Sequence, residues 1–144
     1  MVYVDTSVLV ALFLNEPHSL AATDWYAHET SELAAAAWCV PEFASALGIK
    51  QRTGAINAQQ AQDAWARFER LIAADLQLLP VEPANFHRAA ELVLDAASAL
   101  RAGDALHLAC AEAAGAKRMA TLDDTMSRSA QRLKIKLVAL RGTP

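Results

Sequence analysis

The sequence predicts a single α/β domain with a mostly parallel sheet and helices on both faces. Short apolar, β-prone runs alternate with helical patterns along the chain, and this order produces parallel sheets. The run 33–39 is apolar on both faces, as expected for a central strand with helices packed on both sides of the sheet. The chain has 144 residues and is 54% hydrophobic, so it has the usual size of one domain and can bury one continuous core.

The first half of the chain is predicted to begin with a strand, a polar turn and a helix. Pro41 marks a later helix start, because proline is favoured at the first helical position, and this places Glu42 in the first turn of that helix. In order, we predict a strand over 2–4, a turn over 5–7, helices over 8–14 and 18–29, a strand over 33–39 and a helix from Pro41 to about Arg52.

The second half continues the alternation. Trp65, Phe68 and Ile72 recur at helical spacing and form an apolar stripe, which we interpret as core or dimer surface. Phe86 and Val93 fall on one apolar face of the next helix. In order, we predict a helix over 58–74, a strand over 76–81, a helix over 84–97, a helix over 104–114 capped by Gly115, a strand over 118–122, a helix over 124–133 and a strand over 136–140.

Composition excludes several classes of protein. The longest apolar runs, 8–14 and 33–41, fall short of the roughly 20 residues that a membrane-spanning helix needs. The N-terminus has no basic stretch, and Asp5 interrupts the region where a signal peptide would be apolar, so we expect a cytoplasmic protein. Cys39 and Cys110 lie far apart, without a CxxC pair or zinc spacing, and we interpret both as buried small hydrophobic residues.

Charge is distributed unevenly. The net charge of −3 argues against nonspecific coating of nucleic acid, but residues 1–50 carry six acids against Lys50 alone. The segment 117–141 is instead rich in basic side chains. The two regions are either an acidic site beside a basic rim or ordinary solvated helix faces. The basic residues are Lys117, Arg118, Arg128, Arg132, Lys134, Lys136 and Arg141.

Four acids fall where a parallel sheet collects functional groups, beyond the carboxyl ends of its strands. Asp5 ends the first strand and Asp123 follows the strand 118–122. Glu42 begins the helix after the second strand, whereas Asp104 opens a helix that another helix precedes. We therefore expect these four carboxylates to converge at one edge of the sheet.

Each acid also has an ordinary structural explanation, since aspartates favour helix caps and a glutamate suits the positive end of a helix dipole. Converging carboxylates, however, would repel one another and raise some of their pKa values unless a cation neutralised them. Oxygen ligands without a Cys or His pair favour Mg²⁺ or Mn²⁺. Such an ion would suit phosphodiester hydrolysis by activated water.

Several neighbours of the acids have two interpretations. Thr6, Ser7 and Thr121 could orient the carboxylates or a water molecule, or could make ordinary turn and cap hydrogen bonds. His107 lies three residues after Asp104 and is interpreted as a packed core histidine rather than a ligand. The three tryptophans are interpreted as core residues rather than platforms for stacked bases.

Four segments together resemble one family. They are MVYVDTSVLVALFLNE, WCVPEFASAL, LRAGDALHLACA and ATLDDTM, and they resemble the PIN-domain ribonucleases, specifically the VapC-type toxins of bacterial and archaeal toxin-antitoxin pairs. The resemblance spans nearly the whole chain and implies one PIN-like three-layer α/β/α domain over 1–144.

The resemblance also implies roles for the acids. Asp5 and Asp104 would be the central ligands of Mg²⁺, which Mn²⁺ could replace, and Glu42 and Asp123 would complete the quartet. The TLDD motif leaves the choice between Asp123 and Asp124 open. Asp123 is favoured because it directly follows Thr121 and Leu122, and Asp124 is expected to be the more exposed neighbour.

The same resemblance implies an activity and partners. The activity is endonucleolytic cleavage of RNA, commonly transfer or ribosomal RNA, and a small cognate VapB-type antitoxin neutralises it. A homodimer is typical, and promoter DNA would be contacted only through the antitoxin. We predict that Arg128, Arg132 and Lys134 contact the RNA phosphates.

Two alternatives remain open from the sequence. One is a catalytically inactive interaction module that keeps the PIN fold. The other is a haloacid-dehalogenase-like phosphatase, which also places an Asp after its first strand and uses Mg²⁺. That class needs a second acid two residues later, where this chain has Ser7.

Overall fold

The computed structural model describes residues 1–140, which form a parallel sheet of five strands in the order β3-β2-β1-β4-β5. The predicted α/β class and parallel sheet are therefore confirmed. None of the described helices is both long and apolar enough to cross a membrane. The elements are β1 (Val2–Val4), α1 (Thr6–Phe13), α2 (Ser19–His28), β2 (Leu33–Ala36), α3 (Cys39–Arg52), α4 (Ala58–Ala74), β3 (Leu76–Leu79), α5 (Pro83–Leu94), a 3₁₀ turn (Ala96–Ser98), α6 (Ala102–Ala113), β4 (Arg118–Ala120), α7 (Asp124–Arg132) and β5 (Lys136–Leu137).

The sheet separates two hydrophobic cores. Side chains alternate across a strand, so Val2 and Val4 enter the core that contains Phe68, together with residues of α1 to α4. Tyr3 enters the opposite core, which contains Met126 and residues of α5 to α7. Helices therefore cover both faces of the sheet, and the three-layer α/β/α architecture is confirmed.

Some element ends differ from the prediction. The strand β2 ends at Ala36, because α3 begins at Cys39, two residues before Pro41. Proline is still accommodated in this first turn, where backbone N–H groups have no partner within the helix. The helix α6 begins at Ala102, so Asp104 lies in its first turn and does not cap it.

The apolar stripes of α4 and α5 have different surroundings. In α4, Phe68 is buried, and Trp65 and Ile72 pack against the same core, so the stripe is core. In α5, Phe86 is 54% exposed and Val93 is 37% exposed. The predicted apolar face of α5 is thus largely left on the surface.

Both cysteines are buried and free, as predicted. Burial, reinforced by the charges of Glu42 and Asp5, raises the pKa of the Cys39 thiol to about 12. The thiol is therefore protonated at neutral pH, and it packs as a small hydrophobic group.

One edge of the sheet collects the ends of β1 and β4 and the beginnings of α3 and α6. The first turns of α3 and α6 touch at Gly103. A methyl group added there would lie 3.4 Å from both Glu42 Oε2 and Trp38 Nε1. This contact brings the helix that carries Asp104 against the helix that carries Glu42.

Candidate active site

Asp5 is buried at the end of β1 and occupies the N-cap position of α1. Its side chain makes no capping hydrogen bond there. Instead, Asp5 Oδ2 accepts hydrogen bonds from Ser7 Oγ at 2.7 Å and Thr121 Oγ1 at 2.9 Å. Two hydroxyls therefore fix the direction of this carboxylate, and capping does not explain its position.

The same hydroxyls connect the loops around the site. Ser7 Oγ accepts the backbone N–H of Leu122 at 3.0 Å, and Thr121 Oγ1 accepts the backbone N–H of Asp123 at 3.1 Å. The segment after β4 is thereby tied to the first turn of α1. This brings Asp123 to the same edge as Asp5.

Glu42 accepts hydrogen bonds from three side chains. Thr6 Oγ1 donates to Glu42 Oε1 at 2.7 Å, and His107 Nε2 contacts the same oxygen. The Trp38 side chain supplies a third hydrogen bond. Burial alone would raise the pKa of Glu42, but His107 and these hydrogen bonds together lower it below its ordinary value, so Glu42 is ionised at neutral pH.

His107 is completely buried. Its Nδ1 lies 2.6 Å from the Tyr3 hydroxyl, and its Nε2 lies 4.0 Å from Asp5 Oδ1 and contacts Glu42. The interpretation as a core histidine is right about burial, but it misses the contacts with two predicted site acids. A histidine inside the apolar run 105–111 needs buried polar partners, and that requirement is the signal that could have identified it.

Asp104 lies in the first turn of α6 and is partly buried. Its pKa is raised to about 6, first by burial and then by the negative charges of Asp5, Asp123 and Glu42, with His107 opposing the rise. The four predicted acids are therefore close enough to act on one another electrostatically. This is the repulsion that converging carboxylates should show.

Asp123 caps α7, since its Oδ1 accepts the backbone N–H of Met126 at 2.7 Å. For this residue the capping explanation is correct, although its charge also acts on Asp104. Asp124 lies in the first turn of α7 and is exposed. The geometry thus favours Asp123 over Asp124 as the fourth acid.

The donor set suits a hard divalent cation, because it consists of carboxylate oxygens beside hydroxyls. Within residues 1–140, no group of three or more His, Cys, Asp or Glu side chains is already drawn together as a metal site. The raised pKa of Asp104 marks the charge repulsion that a cation would relieve.

The residues predicted to bind RNA lie at different distances from this edge. Arg128 is exposed in the middle of α7 and donates to Thr125. Arg132 ends α7, and Lys134 lies just before β5, so both are exposed toward the opposite edge of the sheet, where β4 and β5 begin. Arg141, which is counted only among the basic residues of the segment 117–141, lies outside the described residues.

An apolar groove of about 460 Å³ borders the acids. Trp38 is 39% exposed on its wall, so the interpretation of the three tryptophans as core is wrong for this one, while Trp25 and Trp65 pack partly buried against the core. The groove is lined by Trp38, Phe86, Ala89, Ala90, Val93, Leu94, Ala102, Gly103 and Leu106.

Residues 2–131 match the model of the PIN domain family. The chain belongs to this family. The family match confirms the PIN part of the resemblance seen in the sequence, and it covers the strands and helices that position all four acids.

The fold of this PIN domain is similar to those of several solved structures. VapC20 of Mycobacterium tuberculosis, described as a sarcin-ricin loop cleaving toxin, is 15% identical with a TM-score of 0.73, over 90% of this chain and 95% of that one. FitAcB of Neisseria gonorrhoeae is 18% identical with a TM-score of 0.69, over 95% and 96%. VapBC2 of Rickettsia felis, bound to a promoter DNA fragment, is 14% identical with a TM-score of 0.65, over 96% and 98%. No curated protein matches the sequence significantly.

Proposed function

We propose that this PIN domain is a Mg²⁺-dependent endoribonuclease and the toxin of a VapBC-type toxin-antitoxin pair. The observation that carries the proposal is the placement of the four acids at one edge of the sheet, where Ser7 and Thr121 orient Asp5, and Thr6 and His107 orient Glu42. The family match and the similarity to toxin structures support it. The substrate we propose is transfer or ribosomal RNA, since VapC20 is described as cleaving the sarcin-ricin loop.

Asp5 and Asp104 would hold the ion, and Glu42 and Asp123 would complete its surroundings. When bound, the ion supplies an activated water and neutralises charge on the leaving oxygen. The protein contributes positioning, because Ser7 orients Asp5 through the hydrogen bond described above.

The remaining contacts serve the same purpose. Thr121 holds Asp5 from the β4 side, and Thr6 and Trp38 keep Glu42 ionised and fixed. Arg128, exposed on α7, would contact an RNA phosphate. No side chain needs to attack phosphorus, because the nucleophile is water.

A small VapB-type antitoxin would be the partner of this protein in the cytoplasm. Clustered carboxylates attract a basic side chain, so an antitoxin arginine or lysine placed in the acid cluster would block it. The structure of VapBC2 is described as bound to a DNA fragment from its promoter. We propose that this chain, likewise, reaches promoter DNA only through its antitoxin.

We also propose a homodimer, formed through the exposed apolar face of α5. Phe86, Val93 and Leu94 lie on this face beside Trp38, and large exposed apolar patches mark protein interfaces. Light scattering should give twice the chain mass for the native protein and the monomer mass for Leu94→Lys. Leu20→Lys, on the exposed surface of α2, is the matched control and should remain dimeric.

An inactive interaction module is the second candidate. The presence and coupling of all four acids argue against it, because a module without chemistry has no need of mutually repelling carboxylates. The phosphatase alternative has no support, since the chain belongs to the PIN domain family.

The test is RNA cleavage by the purified protein with and without a chelator. EDTA should abolish cleavage, and Mg²⁺ or Mn²⁺ added in excess should restore it. Cleavage that persists in EDTA would contradict the metal dependence. Binding to an antitoxin, with no cleavage of total RNA in any divalent ion, would instead favour the inactive module.

A further inference from the structure

We propose that His107 is a positioning residue, which holds Glu42 in place by donating from Nε2, and that Tyr3 fixes the orientation of its ring. The geometry of these buried hydrogen bonds is independent of the function, whereas their consequence for RNA cleavage rests on the proposed function. The hydrogen bonds link the backbone of β2 to Tyr3, Tyr3 to His107, and His107 to Glu42.

Tyr3 determines which ring nitrogen of a neutral His107 carries the proton. The Tyr3 hydroxyl accepts the backbone N–H of Ala36 at 3.0 Å, which leaves its own proton for another partner. A neutral hydroxyl has one proton to donate, and the partner available for it is His107 Nδ1 at 2.6 Å. Nδ1 is therefore the acceptor, and the ring proton lies on Nε2.

The Nε2 proton points to Glu42, which contacts this nitrogen through Oε1. If the ring gained a second proton, Nε2 would still carry one, so the direction of donation is the same in both states. The positioning role consequently does not depend on the ionisation of His107. It depends on the ring being held in one orientation.

This hydrogen bond joins α3 and α6, the helices that carry Glu42 and Asp104. His107 lies one turn after Asp104 on α6, and Glu42 lies in the first turn of α3. Thr6 holds the same Glu42 oxygen from α1. Donors on two different helices thus fix one carboxylate oxygen, and His107 sets the spacing between Glu42 and Asp104.

A matched pair of variants tests the role. The amide nitrogen of Gln reaches the position of Nε2, whereas the shorter Asn reaches only that of Nδ1. His107→Asn should lower kcat/KM for RNA cleavage by about 10- to 100-fold, the usual effect of losing a partner that orients a metal ligand. His107→Gln should stay within about fivefold of the native protein by the same reasoning.

Affinity for Mn²⁺, titrated without RNA, should follow the same order as cleavage. Asn is one methylene shorter than Gln and leaves a larger cavity at this fully buried position, so the Tm of both variants is measured and cleavage is assayed well below the lower of the two. Equal losses of cleavage in the two folded variants would overturn the positioning role, because they would show that only the buried ring matters. Native behaviour of His107→Asn would overturn it as well.

The native protein supplies a test that survives misfolding of both variants. A long-range ¹H–¹⁵N spectrum with labelled histidine should show protonated Nε2 and, in the neutral ring, unprotonated Nδ1. Tyr3→Phe, which keeps the packing but removes the hydroxyl, should shift the Nδ1 resonance, because Nδ1 loses its donor, while Nε2 stays protonated against Glu42. The opposite tautomer in the native protein would overturn the proposal. The predicted tautomer in a protein that cleaves no RNA would instead count against the proposed function alone.

Discussion

The Glu42 side and the Asp104 side of the acid cluster are built in opposite ways. Glu42 is surrounded by three hydrogen-bond donors, and its pKa is lowered. Asp104 is influenced chiefly by burial and by neighbouring negative charges, and its pKa is raised to about 6. The protein itself stabilises the negative charge on Glu42, whereas burial and the neighbouring carboxylates destabilise the negative charge on Asp104.

The difference shows where a cation would contribute most. A carboxylate already held by Thr6, His107 and Trp38 needs little further stabilisation. Asp104, close to Asp5, gains more from a positive charge placed between them. We therefore expect removal of the charge at Asp104 or Asp5 to have the largest functional effect and the clearest effect on metal binding.

The largest predicted effect is on cleavage by Asp5→Asn and Asp104→Asn. Each should lower kcat by about 10³-fold or more, equivalent to about 4 kcal/mol, because a central ligand is lost. Gel-based RNA cleavage at saturating Mg²⁺ measures it. Asp63→Asn, an exposed acid on α4 bonded to Gln59, is the control. Full activity of either site variant would refute the assignment.

A smaller difference is predicted between Asp123→Asn and Asp124→Asn. Asn remains a good N-cap, so Asp123→Asn should fold normally while losing a charge near Asp104. We expect it to lower cleavage by about 10- to 100-fold and Asp124→Asn by less than about tenfold. A larger loss for Asp124→Asn would reverse our choice of the fourth acid.

The pH dependence of stability tests the Asp104 side directly. Because the pKa of Asp104 is raised to about 6 in the folded protein, the protonated carboxyl group stabilises the fold. This contribution to the free energy of unfolding is complete below the ordinary pKa of 3.8 and is lost as the pH rises through about 6. In EDTA, the Tm of Asp104→Asn should therefore be higher than that of the native protein, by about 3 °C or more near pH 8 and by much less near pH 4. A lower Tm of the variant near pH 8 would contradict the repulsion.

The smallest effects are predicted for the basic side chains. Arg128 is nearer the acids than Lys134, which lies toward the opposite edge of the sheet. Arg128→Gln should weaken RNA binding a few-fold and reduce the salt-dependence slope by about one. Lys134→Gln should change both values less than Arg128→Gln does. Filter binding at several salt concentrations measures both variants. A larger effect of Lys134→Gln would show that RNA binds along the edge of the sheet where β4 and β5 begin.

The fold was predictable because hydrophobic alternation is a local property. The helix 58–74 was predicted to the residue, since its stripe is strongly amphipathic and its ends carry capping residues. The predicted end of β2 was wrong because an apolar residue such as Cys39 fits a buried strand and a buried helix equally well. Only the approach of α3 to α6 decides between the two. Patterns predict which elements exist more reliably than where they end.

The candidate site was partly predictable for the same reason. Asp5 and Asp123 follow strands, and Pro41 marks the helix that places Glu42, so chain order alone suggested three of the positions. The link between Tyr3 and His107 spans 104 residues, and no local pattern reveals it. The exposure of Trp38 likewise depends on α5 and α6 packing beside it.

We predict that the edge occupied by Asp5, Glu42, Asp104 and Asp123 binds a divalent cation. The most direct measurement is anomalous scattering from a crystal of the protein grown with Mn²⁺. We predict a manganese peak within bonding distance of Asp5 and Asp104 carboxylate oxygens, and its absence from the Asp104→Asn crystal. A native crystal with no manganese at this edge, grown at a Mn²⁺ concentration that supports RNA cleavage, would contradict metal binding by these acids.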